Sequence, residues 1–309
     1  MALLFKSDSD RIEWWRRELG ERMPEVEVRP WPEVGDPKEI EFALVWNMPK
    51  GALARFPNLR VIFSLGAGVD HLFADPELPK QVPICRAVDE FLTQRMNEYV
   101  ALHVLRYHRR QPELEELQRR GEWKELYTPT ASERGVGIMG LGALGANAAK
   151  TLAGLGFKVA GWSRTEKRLE GVESFHGPAG LAPFLARSEI LVCLLPLTRA
   201  TESILSSALF AGLPKGAAVI NAARGKHLVE ADLLAALASG QLAYAALDVY
   251  QTEPLPPEHP FWRHPRITIS PHIASITDPR TTAALVAENV RRYRAGEPLL
   301  YTVDAALGY

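Results

Sequence analysis

Three polar clusters in the second half of this chain hold residue types that can grip an anion and move a proton. Arg224 stands in Asn221-Ala222-Ala223-Arg224-Gly225. Glu253 stands in Asp248-Val249-Tyr250-Gln251-Thr252-Glu253-Pro254-Leu255-Pro256, and His272 in Ser270-Pro271-His272-Ile273-Ala274. A guanidinium makes forked, charge-assisted contacts with paired oxygens. An imidazole exchanges protons near neutral pH, and a neighbouring carboxylate orients its ring and favours its protonated form. Taken singly, each residue reads as structural: a salt-bridge arginine, a loop glutamate, a histidine after proline. Taken as an ordered set after strands of one sheet, they read as catalytic.

A fourth motif lies upstream. The apolar run Val136-Gly137-Ile138-Met139 leads into Gly140-Leu141-Gly142-Ala143-Leu144-Gly145 and an alanine-rich segment. Strand, glycine turn and helix in that order form a dinucleotide site: the glycines allow the bend, the approach of a pyrophosphate and close helix packing. The helix N-terminus offers its N–H groups and positive dipole end to phosphates.

These motifs need an α/β frame. Strands are expected at 2–5, 25–29, 42–46 and 60–64, with helices at 10–19 and 50–55 between them. A long helix is expected over 96–111, stopped by Pro112, and a shorter one over 113–120. Beyond the glycine turn, strands are expected at 158–162, 190–194, 218–221, 243–247 and 267–269, with helices at 181–186, 230–238 and 279–294. Such alternation implies parallel sheets covered by helices, with sites beyond the carboxyl ends of the strands. The nucleotide unit starts mid-chain and leaves a tail too short for a domain of its own. The expected organisation is therefore a doubly wound Rossmann-type cofactor domain, 96–278, inserted in a discontinuous flavodoxin-like domain, 1–95 with 279–309.

Composition narrows the class. The 309 residues carry a formal charge of −1, which provides no general field for nucleic acid or an anionic membrane. No apolar run suits a membrane span, and residues 1–8 read as a first strand rather than a signal peptide. Cys85 and Cys193 sit in apolar contexts and read as buried thiols of a cytoplasmic protein. His103 and His108 are five apart and miss metal-ligand spacing, so no metal is expected. His71 and His227 show no partner pattern and read as structural or surface residues.

The glycine turn, Ala223-Arg224-Gly225, Asp248-Val249, Glu253-Pro254-Leu255-Pro256 and Pro271-His272-Ile273-Ala274 resemble the D-isomer-specific 2-hydroxyacid dehydrogenases. Gly66-Ala67-Gly68-Val69-Asp70, Trp162-Ser163-Arg164 and the Gly308-Tyr309 ending look most like the glyoxylate/hydroxypyruvate reductase A branch. The resemblance implies reduction of a small 2-oxo acid. Arg224 would bind and polarise it, His272 would protonate the carbonyl oxygen as general acid, and Glu253 would orient His272. Asp248 would hold the nicotinamide carboxamide or ribose side. Backbone N–H groups over Leu65, Gly66, Ala67 and Gly68 would nest the substrate carboxylate, with Trp46 as a pocket wall.

Further cofactor contacts are expected at Gly140, Gly142, Ala143, Leu144, Gly145, Thr165, Lys167, Leu195, Pro196, Ala222 and Arg224. NAD-specific sites place an acid after the second strand, but here Ser163 and Arg164 occupy that place and suit a 2′-phosphate. The expected cofactor is therefore NADPH, with NADH weaker. A homodimer is expected through the long helix, with Trp123 as a surface-loop or interface residue. Alternatives are a broader D-2-hydroxyacid dehydrogenase and a non-catalytic, corepressor-like nucleotide sensor.

Overall fold

The computed structural model describes residues 1–8 and 10–309. The chain divides into two compact units, residues 1–92 with 276–309, and residues 93–275.

In the first unit, strands β1 (Ala2–Lys6), β2 (Glu27–Pro30), β3 (Ile40–Val45), β4 (Val61–Ser64) and β5 (Ile84–Arg86) form one sheet, ordered β2-β1-β3-β4-β5. All its pairings are parallel. Strands buried on both faces must be apolar throughout, and Ala2-Leu3-Leu4-Phe5 and Phe42-Ala43-Leu44-Val45 are. Helices Ile12–Arg22 and Pro279–Ala295 cover one face, where Trp15, Leu19, Val286 and Val290 pack on Leu3, Phe42 and Phe63. Asp278 caps the second of these helices by accepting the Arg280 N–H at 2.9 Å. Leu4, Val45 and Ile62 pack on the other face with Val69 and Leu72.

In the second unit, β6 (Gly135–Met139), β7 (Lys158–Ser163), β8 (Val172–His176), β9 (Ile190–Cys193), β10 (Ala217–Asn221), β11 (Leu242–Leu247) and β12 (Ile267–Ile269) form a parallel sheet. Its order is β12-β11-β10-β9-β6-β7-β8. The chain runs outward from β6 through β7 to β8, then crosses to β9 on the other side of β6. That reversal creates the crevice where ligands bind in such sheets, and the glycine turn stands at the end of β6.

Three local expectations need correction, and one strand was not expected. The long helix runs Glu90–His108 rather than 96–111, because Asp89 accepts the Leu92 N–H at 2.8 Å and starts it earlier. Pro112 does not stop it. Arg110 turns the chain at φ 54°, and Pro112 lies in the first turn of helix Gln111–Arg119, where no N–H is needed. The helix expected at 50–55 is only a 3₁₀ turn, Leu53–Arg55. Strand β8 went unread because Val-Glu-Ser-Phe-His is an edge strand with no fully buried residue.

Candidate active site

The glycine turn is built by close packing. Gly140 has φ 99° and faces Leu194, whose carbonyl oxygen a Cβ would meet at 2.6 Å. A Cβ on Gly145 would lie 1.7 Å from the Gly140 carbonyl oxygen, so no other residue lets helix Ala143–Gly154 start there. A Cβ on Gly142 would meet nothing within 4 Å, leaving open space beside the helix N-terminus. No side chain caps that helix, so its first N–H groups face this cradle. The donor set fits a pyrophosphate. Buried Leu195 follows β9 beside the turn, and the Pro196 carbonyl accepts the Thr201 hydroxyl at 2.7 Å.

After β7, Ser163 is 8% exposed and its hydroxyl donates to the Thr165 carbonyl at 2.7 Å, shaping the turn rather than facing solvent. Arg164, Thr165 and Lys167 are exposed beyond it. Glu166, the one acid in this stretch, pairs with Arg168 at 3.1 Å. Among the described residues directly after β7, Ser163, Arg164 and Thr165, there is no carboxylate.

Asn221, fully buried at the end of β10, shapes the Arg224 loop. Its Oδ1 accepts the Ala223 N–H at 3.2 Å and its Nδ2 donates to the Arg224 carbonyl at 3.0 Å. Ala222 is buried within this loop. His227, also fully buried, accepts the Arg224 N–H on Nδ1 at 3.2 Å and lies 3.3 Å from the Pro196 carbonyl through Nε2. The Arg224 guanidinium donates to the Ala223 carbonyl at 2.7 Å. A Cβ on Gly225 would sit 1.9 Å from the Tyr250 carbonyl group, so glycine lets the Arg224 loop press against the segment that carries Glu253.

Glu253 joins two elements. Its Oε1 accepts the Tyr250 N–H at 2.9 Å, and its Oε2 lies 2.8 Å from His272 Nδ1. A carboxylate only accepts, so Nδ1 carries hydrogen. Burial pushes the Glu253 carboxyl up. The bonds from His272 and the Tyr250 N–H, with the positive charges of His272 and Arg224, outweigh burial and hold it below its ordinary value. Both side chains are about one-third exposed, at 36%. His272 has φ 54°, a left-handed conformation uncommon outside glycine and held here by its N–H donating to the Asp248 carbonyl at 2.8 Å.

Asp248 is 1% exposed. Its carboxylate accepts from Ser270 Oγ at 2.6 Å, the Ile273 N–H at 2.9 Å and the Ala274 N–H at 2.8 Å. These bonds hold the loop around His272.

In the first unit, two of the four backbone N–H groups expected to nest a carboxylate are used within the protein. The Leu65 N–H donates to the Val45 carbonyl at 3.1 Å and the Gly66 N–H to Ser64 Oγ at 3.2 Å. Those two groups are internal to the loop. Among the described residues the Ala67 and Gly68 N–H groups have no such partner. Trp46 lies against Gly66, where a Cβ would meet its ring at 2.7 Å. Trp123, in the second unit, is fully exposed.

Residues 101–274 match the family described as D-isomer specific 2-hydroxyacid dehydrogenase, NAD binding domain. The glyoxylate/hydroxypyruvate reductase A of Serratia proteamaculans (strain 568) is 44% identical, with 100% of both chains covered. The chain belongs to the D-isomer specific 2-hydroxyacid dehydrogenases. Among solved members, the Xanthobacter autotrophicus Py2 enzyme in complex with NADPH and MES superimposes with a TM-score of 0.96 at 47% identity, covering 100% of this chain and 99% of that one. The NADPH-dependent glyoxylate/hydroxypyruvate reductase of Sinorhizobium meliloti, with NADP and sulfate, gives 0.93 at 40% identity, with 100% of both chains covered.

From the sequence, His71 and His227 read as structural or surface residues and Ser64 and Ser270 carry no role, because the hydrogen-bond partners of each are not revealed by local spacing. Asn221 gave the one available signal, a polar residue ending an apolar strand.

Proposed function

We propose that this dehydrogenase reduces small 2-oxo acids with NADPH, glyoxylate to glycolate and hydroxypyruvate to D-glycerate. The 2.8 Å His272–Glu253 pair, with Arg224 held beside it, carries the reading. The names and bound ligands of its relatives in Serratia, Xanthobacter and Sinorhizobium support the substrate and the cofactor.

The turn at Gly140, Gly142, Ala143, Leu144 and Gly145 holds the pyrophosphate on backbone N–H groups. Leu195, Pro196 and Ala222 line the nicotinamide side, and Asp248 keeps the adjoining His272 loop in place. Arg164, Thr165 and Lys167 receive the 2′-phosphate, on the turn that Ser163 shapes. NADPH, when bound, supplies a hydride to the carbonyl carbon. The Ala67 and Gly68 N–H groups take the substrate carboxylate, and Trp46 limits the size of the acid. The Arg224 guanidinium polarises the carbonyl. As negative charge grows on its oxygen, His272 Nε2 delivers a proton, while Glu253 keeps the Nδ1 hydrogen and stabilises the ring. In the reverse direction neutral His272 takes the proton back.

No helix is long and apolar enough to cross a membrane among the described residues. The working form is a cytoplasmic homodimer, supported by exposed Leu102 and Leu105 on helix Glu90–His108. The test is a steady-state assay of glyoxylate and hydroxypyruvate with NADPH and NADH. Turnover with a preference for NADPH is expected. Protein that binds NADPH yet turns over no 2-oxo acid would be a sensor instead.

A further inference from the structure

Outside the proton-transfer cluster, one network in the first unit has more hydrogen-bonding order than a surface loop needs. Its hub is Ser64, 1% exposed at the end of β4. Ser64 Oγ accepts the Gly66 N–H at 3.2 Å, donates to the Gly68 carbonyl at 3.1 Å and lies 3.1 Å from His71 Nε2. His71 Nδ1 faces the Asn47 N–H at 3.4 Å. A backbone N–H can only donate, so Nδ1 is the acceptor and Nε2 carries the proton. The hydroxyl has one donor and two acceptor sites. His71 Nε2–H and the Gly66 N–H fill the acceptors, which turns the Ser64 hydrogen toward Gly68.

The same histidine also supports the pocket wall. Its ring centroid lies 4.3 Å from that of Trp46, with a 46° tilt. Trp46 is therefore held between the His71 ring and the bare Cα of Gly66, which a side chain would displace. The strand end that carries Trp46 is pinned by its N–H to the Lys6 carbonyl at 2.8 Å, and Asn47 turns the chain at φ 50°. On the far side of the loop, Thr277 Oγ1 donates to the Leu65 carbonyl.

We infer that His71 is a positioning residue for substrate binding: through Ser64 it sets the Gly66–Gly68 loop so that the Ala67 and Gly68 N–H groups stay turned toward a carboxylate, and through its ring it holds Trp46 in place. This rests on the proposed reduction of 2-oxo acids. His71 touches no reacting atom, so its loss acts on substrate affinity and not on the chemical step.

The experiment compares His71→Ala, His71→Gln and Ser64→Ala in the full chain, measuring kcat, KM for glyoxylate, KM for NADPH, and amide hydrogen exchange over residues 65–69. His71→Ala is expected to raise KM for glyoxylate by about tenfold, the effect of roughly one hydrogen bond. It should leave kcat and KM for NADPH within about twofold and speed exchange at Gly66. His71→Gln presents an amide N–H that can reach Ser64 Oγ and should recover most of the KM. Ser64→Ala should match His71→Ala in exchange rate. An unchanged KM in His71→Ala, equal loss in the Gln variant, or unchanged exchange at Gly66 in Ser64→Ala would each overturn the inference. If the wild-type protein reduces no 2-oxo acid, the functional reading falls, while the exchange data still decide whether His71 and Ser64 hold the loop.

Discussion

His272 and Glu253 come from different loops yet meet at 2.8 Å, Nδ1 to Oε2, and the second oxygen of the same carboxylate is bound by the Tyr250 N–H. The imidazole therefore cannot turn without breaking a bond that is itself anchored to backbone. Replacing His272 with Gln removes the proton donor and leaves a side chain able to occupy the space. We expect kcat to fall by about 10² to 10⁴, the usual range for a general acid, with NADPH binding intact. Single-turnover rates and fluorescence titration with NADPH check this; near-normal turnover would remove His272 from the role.

The pH dependence follows from the direction in which Glu253 is shifted. Its carboxyl is held below the ordinary 4.5, so the ionised form favours the folded state. That stabilisation is fully present above pH 4.5 and is lost as pH falls through the depressed value. The Tm difference between wild type and Glu253→Gln should therefore persist from pH 7 to about pH 5 and shrink only below about 4.5. Thermal melts across that range test it, and a difference already collapsing at pH 6 would contradict the assignment.

Arg164 is exposed beyond β7, and the nearest acid in its segment, Glu166, is paired with Arg168. Arg164→Ala should raise KM for NADPH by about tenfold, in line with loss of one charged contact, and leave KM for NADH nearly unchanged. Equal loss with both cofactors would show that Arg164 serves the adenine or the fold rather than the phosphate.

Gly225→Ala should be more harmful than an ordinary glycine change, because the new methyl group would meet the Tyr250 carbonyl group at 1.9 Å. The Arg224 loop and the Glu253 segment must then separate. Expected are a stability loss of about 1–3 kcal/mol, typical of overpacking, and a drop in kcat/KM larger than that in kcat. Urea melts and initial rates on the same preparation decide it.

Much of the frame could be read from the residues alone. Runs such as Ala2-Leu3-Leu4-Phe5 and Ala217-Ala218-Val219-Ile220 must be buried on both faces, and a parallel sheet follows. Strand β8 could not be read, since its partly covered residues lack a pattern. The family was legible because its motifs are contiguous: glycines, Arg-Gly and Pro-His keep fixed neighbours. The network around them was not. Ser64 and His71 are seven residues apart across a turn, and His227 reaches Pro196 over 31 residues. Likewise, four N–H groups over Leu65–Gly68 look equivalent on the page. Only folding shows that Val45 and Ser64 use two of them.

The two cysteines have a consequence for an enzyme that handles aldehydes. Cys85 and Cys193 are both buried, and burial pushes each thiol up to about 12. Glyoxylate carries a reactive aldehyde carbon, and the thiolate is the form that attacks such carbons. Both cysteines are at most 1% exposed, and with their thiols pushed up so far neither offers glyoxylate a ready thiolate. Full activity should persist in the presence of thiol-alkylating reagents, and a cysteine introduced on the surface can be labelled selectively without removing the native pair.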